Sequence, residues 1–184
     1  MDLIKVLIAD DEPEVRDLLE FEVRESFEGI ELEFYFAGDG VEAVEIIKIH
    51  NPDIILTDLK MPKMDGVNLM KATRELKKTP SIIMITAYGS YEHVLDAMHL
   101  GAFDFFEKPF DEELLKMSLT RVKNFIQFKR SMYEQITLFL KDDNVRDETI
   151  EQVFEFVESI AKERYAVLGE RLIRELRNQK AKAS

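Results

Sequence analysis

The sequence contains no cysteine and no tryptophan, and it has no long uninterrupted run of apolar residues. Without cysteine the chain can form neither disulfide bonds nor thiolate metal sites, which fits a protein of the cytosol. No stretch reaches the roughly 18 apolar residues that a membrane-spanning helix needs. The N-terminus also lacks the basic and then apolar pattern of a secretory signal peptide. We therefore expect a cytoplasmic protein that is not inserted in a membrane.

Proline, glycine and histidine are scarce after residue 111. All five prolines and all three histidines precede residue 112, as do six of the seven glycines. The first 111 residues also carry 24 Asp and Glu against 11 Lys and Arg, whereas the remainder is nearly neutral. Such an acidic part repels phosphate backbones, so DNA binding is not expected. The change in composition predicts a first domain over residues 1–125 and a helical extension over residues 126–184.

Apolar runs alternate with helical patterns five times in the first part of the chain. The predicted strands cover residues 3–9, 31–36, 53–58, 82–85 and 102–106. Between them, Pro13 suits the first turn of a helix, and further helices are predicted at 41–49, at 67–76 and between Ser90 and Gly101. Alternation of this kind predicts an α/β fold with a five-stranded parallel sheet and helices as crossovers.

Beyond Asp111 the sequence predicts helices only. Apolar residues recur there at steps of three and four, at Leu115, Leu119, Val122, Ile126, Tyr133, Ile136 and Leu140. This spacing predicts a long fifth helix that continues as a coiled-coil-like helix. A polar break at 141–144 and a second apolar stripe from Ile150 to Leu176 predict an all-α helical hairpin. Two such hairpins can form a four-helix bundle, so we expect a homodimer through the C-terminal helices.

Polar residues stand at the carboxyl ends of four predicted strands. Asp10 and Asp11 follow the first strand, Asp58 ends the third, Thr86 follows the fourth and Lys108 follows the fifth. The carboxyl ends of parallel strands lie at one edge of a sheet, so these side chains are expected to converge in one shallow pocket.

The carboxylates of this set predict a metal site. Grouped carboxylates repel one another and favour a hard divalent cation such as Mg²⁺, or Mn²⁺ in its place. We expect Asp11 and Asp58 to be direct ligands and Asp10 to act mainly through water. The main-chain carbonyl of Lys60 would complete the protein ligands.

The remaining polar groups predict phosphoryl chemistry. Lys108 would neutralise an incoming phosphoryl group together with the metal. The hydroxyl of Thr86 and main-chain N–H groups near Ala87 would donate hydrogen bonds to its oxygens. Asp58 would then be the nucleophile and would become an aspartyl phosphate.

Four segments carry a resemblance to a known family, namely LIADDEP (7–13), DIILTDLKMPKMDG (53–66), MITAYGS (84–90) and GAFDFFEKPF (101–110). With these motifs in order, residues 1 to about 125 resemble the receiver domain of two-component response regulators. The resemblance implies a flavodoxin-like, doubly wound (βα)5 fold. It also implies a signalling protein rather than an enzyme, in which a phosphoryl group passes from a sensor histidine kinase to Asp58 with Mg²⁺ required.

The same resemblance implies a conformational switch. As Thr86 is drawn to the phosphoryl group, Phe105 turns inward and the face formed by helix 4, strand 5 and helix 5 changes. That change would control dimerisation or the binding of a downstream protein. The resemblance further implies a cis peptide bond between Lys108 and Pro109.

Three other functions are considered beside this one. A flavodoxin-like cofactor binder would need a phosphate-binding loop after the first strand, where this chain has Asp10, Asp11 and Glu12. A phosphatase of the haloacid-dehalogenase type would need an aspartate where Lys60 stands, which makes it the weaker alternative. An RNA-binding output remains open and depends on the basic residues of the second extension helix, which are Arg164, Arg171, Arg174, Arg177, Lys180 and Lys182.

Lys60 and Tyr88 lie two residues after Asp58 and Thr86 and are predicted to set the rate of dephosphorylation. The bulky side chain of Tyr88 would hinder the attacking water. We expect Tyr88→Ala to shorten the half-time of the phosphorylated state by up to about tenfold, equivalent to ~1.4 kcal/mol of barrier. Loss of the phosphoryl group can be followed by intact mass. An unchanged half-time in Tyr88→Ala would contradict the hypothesis.

Overall fold

The computed structural model describes residues 3–74, 76, 78–87, 91–142 and 152. Tyr88 lies outside them, as does the predicted second extension helix apart from residue 152. The described part begins with β1 (Ile4–Ala9), α1 (Pro13–Ser26), β2 (Leu32–Ala37), α2 (Gly40–His50) and β3 (Ile54–Thr57). It continues with α3 (Gly66–Thr73), β4 (Ser81–Thr86), α4 (Tyr91–His99), β5 (Asp104–Glu107) and α5 (Glu112–Asp142). No helix of these residues is both long and apolar enough to cross a membrane.

The five strands form one parallel sheet in the order β2-β1-β3-β4-β5. The central strands β1, β3 and β4 are apolar runs buried on both faces, which is typical of a parallel sheet covered by helices. This arrangement confirms the predicted α/β fold with a five-stranded parallel sheet and the flavodoxin-like topology.

Alternate residues of the strands face two separate cores because side chains along a strand point to opposite faces. In β1, Val6 and Ile8 pack with residues of α1 and α5, whereas Leu7 and Ala9 pack with residues of α2, α3 and α4. Within the described residues, two helices therefore cover one face of the sheet and three cover the other.

Aspartate side chains fix the starts of three helices. Asp39 accepts from two main-chain N–H groups of α2, Asp65 from one of α3, and Asp111 from two of α5. These bonds satisfy N–H groups that have no partner within the first turn of a helix. They also set where each connecting loop ends, which places the loops at the carboxyl edge of the sheet.

Several predicted element boundaries differ from the structure by one residue, and two differ by more. Helix α3 ends at Thr73 rather than at residue 76, and the hydroxyl of Thr73 donates to the carbonyl of Met70 at 2.7 Å. Strand β5 begins at Asp104 rather than at residue 102. The N–H of Ala102 still donates to the carbonyl of Ala97 at 2.9 Å, so this residue closes the end of α4. In both places a hydrogen bond to a nearby main-chain carbonyl, and not the apolar pattern, accompanies the boundary.

Helix α5 contains the first part of the predicted coiled-coil seam, but that part faces inward. Leu115, Leu119, Val122 and Ile126 are all buried in the core beside the sheet. They therefore cannot pair with a helix of another molecule while the domain is folded. Helix α5 runs without interruption through residue 125, and the division of the chain at that position stays a prediction.

Candidate functional site

The carboxyl edge of the sheet brings four predicted site residues to the ends of neighbouring strands. Asp10 follows β1, Asp58 follows β3, Thr86 ends β4 and Lys108 follows β5. Main-chain bonds continue the sheet one residue further at three points. The N–H of Asp10 donates to the carbonyl of Ala37 at 3.0 Å. The N–H of Asp58 donates to the carbonyl of Ala9 at 2.8 Å, and the N–H of Lys108 donates to that of Thr86 at 2.8 Å.

Three carboxylates gather at this edge. Asp10 and Asp58 are 1% and 5% exposed, whereas Asp11 is exposed. One oxygen from each of the three lies within 4.8 Å of the others. Two buried carboxylates and one accessible carboxylate form an oxygen-donor group that suits a hard divalent cation.

Lys108 is the cation that contacts this group. Its Nζ lies 2.8 Å from Oδ2 of Asp10, 3.7 Å from Oδ2 of Asp58 and 3.1 Å from Oε1 of Glu12. The ammonium group therefore lies between the buried pair and the exposed glutamate. A phosphoryl group on Asp58 would be within its reach.

Burial and charge act on this cluster in opposite directions. Burial raises the pKa of Asp10, and the hydrogen bonds from Lys108 and from the N–H of Glu12 offset only part of that rise. Burial by itself would lower the pKa of Lys108. The hydrogen bond to Asp10 and the charges of Asp10 and Asp58 raise that pKa above its ordinary value. The lysine thus stays charged, while the cost of burying the Asp10 carboxylate is only partly offset.

The loop after Asp58 turns tightly against neighbouring backbone. The N–H of Lys60 donates to Oδ1 of Asp58 at 3.2 Å, and the N–H of Gly66 donates to the carbonyl of Leu59 at 2.8 Å. A Cβ on Gly66 would lie 2.3 Å from the carbonyl oxygen of Asp58, and one on Gly40 would lie 2.3 Å from that of Met64. Both glycines are therefore needed for the close approach of this loop to the sheet and to α2.

An ion pair that the sequence analysis missed holds the same loop to the start of α2. Lys63 has a positive φ of 62° and its Nζ lies 2.5 Å from Oδ2 of Asp39, the residue that caps α2. The turn Gly38-Asp39-Gly40 could have indicated a capping aspartate. Its cationic partner is 24 residues away in the sequence, so no local pattern could have indicated the pair.

The predicted switch residues occupy two neighbouring strands. Thr86 is fully buried, Ala87 is exposed, and Phe105 is half-buried beside the core on the α2–α4 face of the sheet. In the sheet register Phe105 lies opposite Met84, two residues before Thr86. The peptide bond between Lys108 and Pro109 is cis.

Glu12 is a second residue whose role the sequence analysis missed, since it was considered only as part of the acidic run after β1. Its carboxylate contacts Lys108, and its main-chain N–H donates to Oδ1 of Asp10 at 3.0 Å. Arg16, one turn into α1, donates to the main-chain carbonyl of Asp10 at 2.6 Å. The start of α1 therefore holds Asp10 in position.

Comparison with known proteins gives one consistent result. The family described as "Response regulator receiver domain" matches residues 6–120. Sporulation initiation phosphotransferase F of Bacillus subtilis is 32% identical over 125 residues, which is 68% of this chain and 95% of that protein. The regulatory protein AtoC of Escherichia coli is 32% identical over 128 residues, which is 70% of this chain but only 27% of that longer protein.

Solved structures agree with the sequence relatives. The receiver domain of AraT, a response regulator from Geobacillus stearothermophilus, matches with a TM-score of 0.59 at 35% identity over 69% of this chain and 98% of that one. The chemotaxis response regulator CheY4 of Vibrio cholerae matches with a TM-score of 0.56 at 32% identity over 66% and 99%. These matches cover about two thirds of the chain.

The close approach of Gly66 to Asp58 gives a testable prediction. We expect Gly66→Ala to destabilise the protein by about 1–3 kcal/mol, because the added Cβ forces the backbone of the loop or of Asp58 to move. Urea denaturation followed by circular dichroism measures the change. Gly38→Ala is the matched control, since the nearest atom to its Cβ would be 3.9 Å away. Equal midpoints for the two variants would show that the loop does not depend on this contact.

Proposed function

The chain belongs to the family of response-regulator receiver domains, and we propose that Asp58 accepts a phosphoryl group from a sensor histidine kinase in a Mg²⁺-dependent reaction. The observation that carries this proposal is the meeting of Asp10, Asp11, Asp58 and Lys108 at one edge of the sheet. The chain then acts as a phosphoacceptor in cytoplasmic signalling rather than as an enzyme that turns over a substrate.

The transfer is a displacement at phosphorus. An oxygen of the Asp58 carboxylate forms a bond to the phosphorus atom while the bond from phosphorus to the histidine nitrogen of the kinase breaks. Asp58 is fixed for attack because its main chain bonds to Ala9 and Oδ1 accepts from the N–H of Lys60. The product is a mixed anhydride on the protein.

The metal would be held by the acidic group. Asp11 and Asp58 would coordinate the cation directly, Asp10 would act mainly through water, and the main-chain carbonyl of Lys60 would add a third protein oxygen. When bound, Mg²⁺ or Mn²⁺ supplies positive charge against the phosphoryl oxygens during transfer. The accessible position of Asp11 leaves that side of the cluster open for entry of the ion.

Lys108, Thr86 and the main chain near Ala87 would bind the phosphoryl oxygens. Lys108 lies 3.7 Å from Asp58 and keeps its charge, so it can exchange its contact with Asp58 for a phosphoryl oxygen. Thr86 ends the strand beside β3, from which its hydroxyl can be drawn to that group. Lys60 and Tyr88 would set how fast water removes the phosphoryl group.

Movement of Thr86 toward the phosphoryl group would let Phe105 turn further into the core. The half-buried position of Phe105 beside that core supports this step. The face of α4, β5 and α5 would change as a result. Since α5 continues into the extension, the change would control dimerisation through the C-terminal helices or the binding of a downstream protein. RNA binding by the extension stays an alternative, and its basic residues lie outside the described part of the chain.

The first experiment tests the phosphoacceptor. We expect incubation with acetyl phosphate and Mg²⁺ to add one phosphoryl group to the intact mass of the protein. Asp58→Asn should abolish the adduct, because an amide cannot act as the nucleophile, and removal of Mg²⁺ with EDTA should abolish it in the unchanged protein. Asp65→Asn is the control, since asparagine still caps α3. An adduct on Asp58→Asn would show that Asp58 is not the phosphoacceptor.

The second experiment tests the output. Light scattering on the full chain, with and without acetyl phosphate and Mg²⁺, is expected to give the mass of a dimer in at least one of the two states. Asp58→Asn separates an effect of phosphorylation from an effect of the reagents. A monomer under all conditions would remove dimerisation and leave binding of another molecule as the output.

A further inference from the structure

A buried carboxylate also lies at the amino edge of the sheet, at the end of β3 opposite to Asp58. Asp53 directly precedes β3 and is 5% exposed. Its carboxylate accepts hydrogen bonds from the main-chain N–H of Lys5 at 3.0 Å, from Nζ of Lys78 at 2.5 Å and from Nη2 of Arg130 at 3.0 Å. The phosphoacceptor chemistry uses none of these contacts.

Asp53 is held in its charged form. Burial by itself would raise its pKa, but the hydrogen bond from the N–H of Lys5, the bond and charge of Lys78, and the charge of Arg130 lower that pKa below its ordinary value. Arg130 therefore contacts a charged carboxylate that is itself buried. A contact of this kind depends on geometry more than an ion pair on the surface does.

Two consecutive residues of α5 contact this edge at three points. Besides Asp53, Arg130 donates from Nη2 to the carbonyl of Leu3 at 2.9 Å, and Lys129 donates from Nζ to that of Thr79 at 3.5 Å. Leu3 and Asp53 immediately precede β1 and β3, and Thr79 lies two residues before β4. The acceptors thus come from three adjacent strands. Lys129 is 7% exposed, so the contact is not confined to the surface.

These contacts come where α5 leaves the apolar core. Ile126 is the last α5 residue in the core cluster, whereas the helix continues to Asp142. Most helical stability in proteins comes from tertiary contacts rather than from propensity. Lys129 and Arg130 supply such contacts to the domain at the start of residues 127–142.

We propose that the amino edge formed by Leu3, Asp53 and Thr79 is a docking site for the basic turn Lys129–Arg130 of this same chain. Docking holds the first turns of the extension on the domain, so the extension leaves in one fixed direction and not through a flexible linker. Strand β3 then carries the docking carboxylate at one end and Asp58 at the other. The docking is independent of whether Asp58 accepts a phosphoryl group.

Hydrogen exchange of the full unphosphorylated chain tests the docking site. Arg130→Met removes the guanidinium and keeps an apolar stem, while Lys78 and the N–H of Lys5 still satisfy Asp53. We expect amides of residues 131–138 to exchange about tenfold faster, as loss of one charge-assisted contact implies. Amides of β1 and β3 should keep their rates. Arg121→Met is the matched control, because it removes an exposed ion pair with Asp104 from the same helix.

Each other result has a definite meaning. Unchanged exchange of residues 131–138 in Arg130→Met would overturn the proposal. Protection that disappears on dilution of the unchanged protein would also overturn it, since the occupant would then be the helix of a second copy. If Arg130→Met speeds exchange throughout the sheet, the variant has destabilised the whole domain. Arg130→Lys is then measured instead, because it keeps the positive charge. A smaller increase confined to 131–138 supports docking, and one spread over the sheet contradicts it.

Discussion

The interaction on which the functional edge depends is the contact of Lys108 with two buried carboxylates. Asp10 and Asp58 are placed where parallel strands end, and water reaches neither freely. Burial of such charges costs free energy unless opposite charge meets them. Lys108 meets both, and the start of α1 holds Asp10 through Glu12 and Arg16. The burial of Asp10 is only partly offset by these contacts, since its pKa stays above the ordinary value.

The parallel sheet and the convergence of Asp10, Asp58, Thr86 and Lys108 follow from patterns that are local in the sequence, whereas the order of the strands does not. Apolar runs ended by polar residues identify strands, and the parallel arrangement then brings the ends together. Contacts between distant segments could not be predicted in this way. The pair of Asp39 and Lys63 joins two loops, and its existence depends on a backbone turn with positive φ at a lysine.

Helix α5 is a further case in which a local pattern could not predict the contacts of a helix. A spacing of three and four identified α5 as a helix, but it could not distinguish residues that face the sheet from residues that face another helix. A helix that packs on a sheet and a helix that packs on another helix carry the same kind of apolar stripe. Leu115 to Ile126 pack on their own domain, and the change of environment comes at Lys129, where the stripe is interrupted by a charge. Lys129 interrupts the apolar spacing because its side chain contacts the carbonyl of Thr79 at the amino edge of the sheet.

Helix α5 continues past the domain without interruption, so the number of its residues determines the direction in which each later side chain faces. Each residue of an α-helix advances about 1.5 Å and turns about 100° around its axis. One residue inserted after Arg130 would therefore rotate everything that follows by more than a quarter turn while moving it hardly at all. Seven inserted residues would nearly restore the original facing. The number of residues between Arg130 and the end of α5 therefore sets which side of the extension faces a partner.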